Sequence, residues 1–444
     1  MSSERSTQVF QANAGFLGRK LRNDPLRFLT QISENSDIAA FKIGPQQVFF
    51  LNNPEFVRDI LVLNSHKFVK GRALQRARTI LNQGLLTSEG EFHLKQRRMI
   101  QPAFHKQRIA EYSKVMTQYA LQWAEKRFDG EILDIDKEMN RLTLKVVAKT
   151  LFDANVDDQA DEVGKALTAL IEMFRYLLLP FSEYLEKLPL PQTKRLDNAR
   201  KTLDKVIYRI IKERRASGED KGDLLSMLLM TQDEVDSTKM SDEQVRDEAL
   251  TLFLAGHETT ANALTFTWYL LSENQEKEQK LHQELRTVLK NKPPKFEDYQ
   301  NLKYTEAVFA ESMRLYPPAW AIGRLAVEDH EIAGCKIPKG SLVLVSMFVM
   351  HRDKRYWADP EKFIPERWET VSIRDASSKF IYFPFGGGVR RCIGEHFAWV
   401  EGVMMLATIA QKCRFRVLPS QKFELNPLIT LRPKFGLKMR AELL

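Results

Sequence analysis

Residues 383–398 read F-P-F-G-G-G-V-R-R-C-I-G-E-H-F-A, and this stretch decides the fold. Its three glycines allow a tight backbone turn, and amides beside Cys392 and at the start of the following helix can stabilise a thiolate. A lone cysteine in such a place is more often a buried, inert packing residue. A phosphate-binding glycine loop is a further alternative, but no Lys-Ser or Lys-Thr pair follows the glycines.

The complete pattern F-x-x-G-x-R-x-C-x-G favours a cofactor ligand, rather than a packing residue, at the cysteine. It is matched by Phe385, Gly388, Arg390, Cys392 and Gly394. At these residues the chain resembles the cytochrome P-450 family. The resemblance implies that Cys392 is the axial ligand of haem b, iron protoporphyrin IX, and that Arg390 pairs with a haem propionate. It also implies that Phe385 shields the sulfur, while Gly386 and Gly394 let the loop and the following helix lie close to the ring.

A long helix predicted over residues 241–272 carries the second motif. S-D-E-Q at its start forms a capping box, and A-G-H-E-T-T begins at Ala255. Gly256 costs about 1 kcal/mol in a helix, and threonine hydroxyls bond back to their own helix, so a packing glycine with self-satisfied threonines is one interpretation. By the resemblance, Ala255 and Gly256 flank the iron. Thr259 then hydrogen-bonds the bound oxygen, and Glu258 relays protons to it.

The third motif is E-S-M-R, in which Glu311 and Arg314 form an i,i+3 pair near the end of a helix that stops at Y-P-P. On a surface such a pair contributes only about 0.3–0.5 kcal/mol. The resemblance adds Arg367, in F-I-P-E-R-W, and joins the three residues into an internal network that supports the cysteine loop. The family usually has Phe where this chain has Trp368. We expect the three charged residues to be structural rather than catalytic.

Two further cationic positions are candidates for the haem propionates. H-L-K-Q-R puts His93 and Arg97 four residues apart, on one face of the helix that starts near Gly90. The family more often has Trp at the first of these positions, and a solvated face is the alternative for His93. Arg324, eight residues after Tyr316, resembles the family's other propionate-binding arginine.

The sequence pattern is mainly helical, with short strands. It predicts a hairpin over 38–51 around Gly44-Pro45, and a helix opened by Pro54. Apolar residues at helical spacing cover 91–128, 138–151, 160–175 and 193–216. Residues 212–241 look like a surface connection, and 352–388 like a largely irregular stretch. We predict a mainly α fold with small β-sheets in one domain over 1–444, with a lead segment over about 1–37.

The resemblance makes this the triangular, helix-rich cytochrome P-450 fold, with haem between the long central helix and the helix that follows the cysteine. It runs from about residue 40 to the C-terminus.

Composition excludes several classes of protein. The chain has 444 residues, 43% of them hydrophobic, and a net charge of +9. No dense basic block or nucleic-acid motif is present, so we expect no nucleic-acid partner. Three cysteines without CxxC spacing indicate a reducing compartment. No signal segment and no bilayer-length apolar run occur, so we expect a cytoplasmic protein without a transmembrane anchor. Peripheral membrane contact is left open. We also expect a monomer.

The resemblance implies a monooxygenase that consumes O2 and electrons drawn ultimately from NAD(P)H. No flavin- or iron–sulfur-binding domain follows, so we expect a separate ferredoxin or flavodoxin and its reductase. Such carriers are typically acidic, and a basic docking face is predicted from Lys95, Arg98, Lys106 and Arg108. A peroxide-driven peroxygenase or isomerase is one alternative, although Glu258 and Thr259 argue against it. A non-catalytic haem-thiolate sensor or carrier is the other.

The predicted substrate pocket is apolar, which favours a lipophilic substrate. By the resemblance its lining includes Leu81, Leu85, Leu86, Phe174, Leu178, Ala319, Trp320, Ile322, Leu428 and Ile429. Fatty acids rank first, ahead of terpenoids and retinoids. A carboxylate partner among Arg72, Arg76 and Arg78 is an alternative to surface positions for these arginines.

Overall fold

The computed structural model describes residues 10–11, 23–153, 163–170, 188, 190–230, 232 and 238–444. Contacts within the chain divide it into two compact units. The sheet unit comprises Met1–Gln75 and Ala310–Cys392, and the helical unit comprises Arg76–Phe309 and Ile393–Leu444. The single domain expected over residues 1–444 stays a prediction.

Most of the described chain is helical. The α-helices are α1 Pro25–Ser33, α2 Pro54–Arg58, α3 Arg72–Arg76, α4 Arg78–Leu81, α5 Gly90–Ile100, α6 Lys106–Ala124, α7 Ile135–Phe152, α8 Pro191–Ser217, α9 Leu224–Met230, α10 Asp242–Glu273, α11 Gln275–Leu289, α12 Lys303–Leu315, α13 Met347–Met350, α14 Arg367–Thr370, α15 Ile373–Ser378 and α16 Glu395–Ala410. Residues 163–170 are also helical. A π-helical turn spans Asp59–Leu63, and 3-10 turns span Ser65–Lys67, Gln101–Phe104, Phe296–Asn301 and Gly388–Arg390.

The strands are short. They are β1 Phe10–Gln11, β2 Ile38–Ile43, β3 Gln46–Leu51, β4 Phe68–Lys70, β5 Ile132–Asp134, β6 Ile322–Ala326, β7 His330–Ile332, β8 Cys335–Ile337, β9 Leu342–Val345, β10 Cys413–Val417, β11 Leu425–Pro427, β12 Leu431–Pro433 and β13 Lys438–Leu443. Long helices with small sheets confirm the predicted fold class.

The sheet unit contains a six-stranded sheet in the order β1-β2-β3-β9-β6-β4. The predicted hairpin is β2 and β3, which pair antiparallel from Ile38 opposite Leu51 to Ile43 opposite Gln46. Gly44 forms its turn with φ +57°, a left-handed conformation that glycine adopts without steric cost. Apolar side chains from β2, β3, β4 and β9 meet in one buried cluster, which holds the sheet together.

The helical unit is organised around α10, which packs against α7, α8 and α16. The predicted capping box is present, because Ser241 Oγ accepts from the Gln244 amide at 3.2 Å and Gln244 Oε1 accepts from the Ser241 amide at 2.8 Å. Nearly all of α10 beyond this start is buried, as its apolar sequence predicts. Two small sheets complete the unit, β10-β13-β5 and the hairpin β11-β12.

Two of the predicted boundaries are wrong. The helix expected over 91–128 is interrupted at Gln101–Phe104, where Pro102 lacks the amide hydrogen that a continuous helix needs. The surface connection expected over 212–241 is partly helical, because α8 continues to Ser217 and α9 occupies Leu224–Met230. A buried ion pair explains this, since Arg214 Nη1 lies 2.6 Å from Asp223 Oδ1 and holds the end of α8 at the start of α9.

None of the described helices is both long and apolar enough to span a bilayer.

Candidate functional site

The cysteine loop lies in the sheet unit and is held by its own backbone. The Gly386 amide donates to Phe383 O at 2.9 Å, and the Cys392 amide donates to Phe385 O at 2.9 Å. The loop therefore folds back on itself and ends at Cys392, three residues before α16 begins. The side chain of Cys392 is exposed, whereas the other two cysteines are buried.

Two glycines of the loop are required by the chain's own packing. Gly388 has φ +68°, and a Cβ there would lie 1.8 Å from the Leu61 carbonyl oxygen. A Cβ on Gly387 would lie 2.4 Å from the Phe380 ring. At Gly394, by contrast, a Cβ would meet only Phe104, at an ordinary 3.6 Å. The sequence interpretation, in which the glycines allow a tight turn close to the cofactor, therefore missed a packing role for residues 387 and 388.

The Glu311 network is present and completely buried. Glu311 and Arg314 are both 0% exposed, and Arg314 Nε and Nη2 each donate to the Glu311 carboxylate at 2.8 Å. Arg367 Nε donates to the same carboxylate at 2.9 Å. Trp368, the departure from the family's usual Phe, donates its indole Nε1 to Glu311 at 3.1 Å. The tryptophan thus adds a hydrogen bond that phenylalanine cannot make.

His351 connects this network to the cysteine loop, and sequence reasoning missed it. Arg314 Nη1 donates to the His351 carbonyl at 2.8 Å, and His351 Nε2 accepts from the Phe383 amide at 2.9 Å. Burial holds the pKa of His351 well below its ordinary value, so the ring is neutral and Nε2 can accept. No motif in the sequence distinguishes this histidine from a packing residue.

The A-G-H-E-T-T segment occupies the middle of α10 in the helical unit. Ala255 is exposed, although almost every neighbour along the helix is buried. A Cβ on Gly256 would lie 3.2 Å from Val147 Cγ2, so the glycine allows close packing against α7. Thr259 Oγ1 donates to Ala255 O at 2.8 Å, the bond back to the helix expected for threonine.

Glu258 is a buried acid held by the β11-β12 hairpin. It is 4% exposed, and its Oε1 accepts from Thr430 Oγ1 at 2.7 Å. Arg432 Nη1 lies 4.0 Å from the same oxygen. Burial raises the pKa of Glu258, while the Thr430 hydroxyl and the Arg432 charge act in the opposite direction. A buried carboxyl group with a raised pKa is a candidate proton donor, and Thr259 is the next residue along the same helix.

The candidate propionate residues lie on both units. In the helical unit, His93 is 4% exposed on α5, with Nδ1 3.3 Å from Ser88 Oγ, and Arg97 is half-buried one turn later. The solvated face considered for His93 is therefore wrong. In the sheet unit, Arg324 is 7% exposed on β6, and Arg390 Nη1 donates to Phe68 O at 2.9 Å. Their roles toward a haem stay predictions.

The predicted pocket residues are partly or fully buried wherever the structure describes them. The helical unit contributes Leu81, Leu85, Leu86, Leu428 and Ile429, and the sheet unit contributes Ala319, Trp320 and Ile322. Phe174 and Leu178 lie outside the described residues. Arg72 and Arg78 are exposed, which agrees with surface positions for them.

A polar anchor for the 82–85 loop was missed by sequence reasoning. Asp247 and Glu248, in the charged start of α10, are 3% and 1% exposed. Asn82 Nδ2 donates to Asp247 Oδ1 at 3.0 Å, and the Leu85 amide donates to Glu248 Oε2 at 2.9 Å. These carboxylates fix the backbone that carries the predicted pocket residue Leu85. No pattern in the sequence marks these two acids as anchors.

The chain is similar to known proteins over nearly its whole length. A family model described as Cytochrome P-450 matches residues 10–439. A cyclooctatin synthase of Streptomyces melanosporofaciens is 37% identical over 414 residues, which are 92% of this chain and 89% of that protein. A cyclooctat-9-en-7-ol 5-monooxygenase of the same organism is 36% identical over 397 residues, with 89% and 86% covered. A pentalenene oxygenase of Streptomyces avermitilis is 34% identical over 419 residues, with 94% and 92% covered.

Proposed function

Because the chain belongs to the cytochrome P-450 family, we propose that it is a monooxygenase that inserts one atom of O2 into a C–H or C=C bond of a lipophilic small molecule. The chain is an oxidoreductase, and its family implies a haem cofactor. Haem b as the form of that cofactor, O2 as the oxidant and NAD(P)H as the electron source belong to the proposal. Residence in the cytoplasm and a monomeric state stay predictions.

The residues present fit a haem-thiolate cofactor. Cys392 is the exposed cysteine, while burial raises the pKa of Cys335 and raises that of Cys413 to about 11, which disfavours either as a thiolate ligand. Cys392 would therefore supply the thiolate, with Arg390, Arg97, His93 and Arg324 as the cationic or polar partners of the propionates. When bound, the haem supplies dioxygen activation, favoured by the electron density that a thiolate ligand donates.

Glu258 and Thr259 carry the proton chemistry in this proposal. Burial raises the pKa of Glu258 and so favours its protonated form, which makes the carboxyl group a candidate proton donor. Thr259 Oγ1 donates to Ala255 O, so its lone pairs are available to accept a proton from a neighbouring donor. Glu258 is buried and Thr259 is partly exposed, so the two residues offer a route for protons between the interior and the exposed face at Ala255.

The observation that carries the proposal is this acid and hydroxyl pair beside the exposed Ala255, in an otherwise buried helix. We expect Thr259→Ala to lower product formation roughly tenfold to a hundredfold while NAD(P)H consumption continues. Thr265→Ala is the matched control, because Thr265 is buried on the same helix and bonds to Ala261 O at 2.8 Å. Turnover with hydrogen peroxide but not with a reductase system would refute the proposal in favour of a peroxygenase.

The cofactor assignment has a separate spectroscopic test. We expect the reduced, carbon monoxide-bound protein to show the red-shifted Soret band of a thiolate ligand, and Cys392→His to lose it. A wild-type spectrum without that shift would overturn the assignment of Cys392.

We place terpenoids ahead of fatty acids as the substrate class. The names of the relatives denote a synthase of cyclooctatin, a hydroxylation of cyclooctat-9-en-7-ol and an oxygenation of pentalenene. The apolar residues predicted for the pocket suit such compounds. We expect a cyclic terpenoid alkene or alcohol to shift the Soret band from low spin to high spin at lower concentration than a fatty acid of equal carbon number. Tighter binding of the fatty acid would reverse the order.

A separate acidic ferredoxin or flavodoxin is the proposed electron donor. Lys95, Arg98 and Lys106 lie on α5 and at the start of α6, with Arg98 and Lys106 exposed. We expect Arg98→Glu and Lys106→Glu to slow haem reduction at low salt, with a weaker dependence on ionic strength. Lys194→Glu on α8 is the control of equal charge change, since Lys194 is also exposed. Unchanged reduction rates in both docking variants would remove this face as the docking site.

A further inference from the structure

The carboxyl group of Glu258 is held by residues that come from another part of the chain. Thr430 follows the tip of the β11-β12 hairpin and is 6% exposed. Its hydroxyl donates to Glu258 Oε1 at 2.7 Å, and Arg432, two residues later, brings its guanidinium to 4.0 Å from the same oxygen. Both groups therefore act on one oxygen of a buried acid.

Arg432 also acts on a second acid. Asp136 lies in the first turn of α7, where burial and the nearby charge of Asp134 raise the pKa of Asp136 to about 7. The charge of Arg432 opposes that rise, and the charge of Glu258 adds to it. Lys137 is the remaining charged neighbour, and it too favours the ionised form of Asp136.

Two hydrogen bonds tie the start of α7, which carries Asp136, to the segment that follows β12. Just after β12, the Leu437 amide donates to Asp134 Oδ1 at 3.1 Å, and the Ile135 amide donates to Leu437 O at 2.8 Å. The start of α7 is thus tied to the segment that follows Arg432. Asp136 and Glu258 affect each other through their charges, so a change at either acid shifts the pKa of the other.

We propose that Thr430 and Arg432 are positioning residues that hold the Glu258 carboxyl group for proton delivery. The inference rests on the proposed role of Glu258 as the proton donor. Thr430 fixes the direction in which Oε1 points, because a hydroxyl donor at 2.7 Å constrains the carboxyl plane. Arg432 stabilises the carboxylate that remains after Glu258 gives up its proton.

The test is an infrared titration of the holoenzyme. The carboxyl C=O band of Glu258 is identified as the band that is lost in Glu258→Gln. Its intensity is recorded as a function of pH, and the midpoint of that titration is compared between variants. Thr430→Val and Arg432→Gln remove groups that stabilise the carboxylate, so each moves this midpoint to higher pH. Asp136→Asn removes a negative charge that interacts with that of Glu258, so it moves the midpoint to lower pH. Thr430→Ser restores the wild-type midpoint, because it keeps the hydroxyl.

Thr408→Val is the matched control. Thr408 is 1% exposed and donates to Met404 O within its own helix α16, so its loss leaves the Glu258 midpoint unchanged. In product assays, Thr430→Val lowers kcat roughly tenfold to a hundredfold with little effect on KM, since a misdirected donor affects the chemical step.

Two results would overturn the inference: an unchanged midpoint in both Thr430→Val and Arg432→Gln, or a Thr430→Ser variant that fails to restore the wild-type value. If Thr430→Val does not fold, Arg432→Gln and Thr430→Ser still decide the question. Failure of the proposed function looks different. In that case Glu258→Gln forms product at the wild-type rate, whatever the infrared midpoints show.

Discussion

Replacing Glu311 by glutamine removes the charge at the centre of the buried network. The carboxylate accepts two hydrogen bonds from Arg314 and one each from Arg367, Trp368 and the Ile364 amide. Glutamine is nearly the same size, but it carries one acceptor oxygen and turns an NH2 group toward these donors. Two guanidinium groups, 0% and 9% exposed, then lose their counter-charge without access to water.

The expected cost follows from that burial. Removing one partner of a buried ion pair typically costs about 3–5 kcal/mol. Glu311 faces two cations rather than one, so we expect the upper part of this range for Glu311→Gln. A loss of about 4 kcal/mol lowers the ratio of folded to unfolded protein by about a factor of 1,000. The start of the cysteine loop depends on this network through His351, so the fraction of protein with thiolate-bound haem should fall as well.

Urea unfolding at equal haem concentration measures this loss, because bound haem stabilises the folded state by mass action. Tryptophan fluorescence and far-ultraviolet circular dichroism give the midpoint and the slope of the transition. Glu306→Gln, on the same helix α12, is the control, because Glu306 accepts from the neutral Tyr299 hydroxyl at 2.7 Å and is only partly buried. A loss below about 1 kcal/mol in Glu311→Gln would refute the reasoning about the buried charges.

Further predictions concern the cysteine loop, a buried acid and the indole donor. Gly388→Ala should cost about 2–4 kcal/mol in urea unfolding, because the Cβ lies 1.8 Å from Leu61 O, whereas Gly340→Ala, also at positive φ but in open space, should cost about 1 kcal/mol. Burial raises the pKa of Glu401 from 4.5 to about 8, so folded protein keeps a proton that unfolded protein releases. The contribution of Glu401 to stability is therefore lost as pH rises from about 4.5 to 8. Glu401→Gln should reduce the fall in the free energy of unfolding over this pH range, and an unchanged fall would contradict the prediction. Trp368→Phe should cost about 1–2 kcal/mol, and a neutral result would show that its 3.1 Å bond does not stabilise the fold.

Local chemistry made several features predictable before any fold was known. The Ser241 capping box, the Gly44 turn and the helix over 242–273 depend on residues within a few positions of one another, so their patterns are legible in the sequence. The F-x-x-G-x-R-x-C-x-G pattern belongs to the same class, because the loop that ends at Cys392 is closed by hydrogen bonds within that stretch.

The sequence by itself therefore determined the fold class, the family, the cysteine loop and the acid and hydroxyl residues on the long helix. Only the tertiary structure decided that Thr430, 172 residues beyond Glu258, holds that acid, and that His351 joins the Glu311 network to Phe383. It also decided that Asp247 and Glu248 are buried and anchor the 82–85 loop. The physical reason is that burial and the choice of a hydrogen-bond partner depend on segments distant in sequence, whose packing no local pattern records.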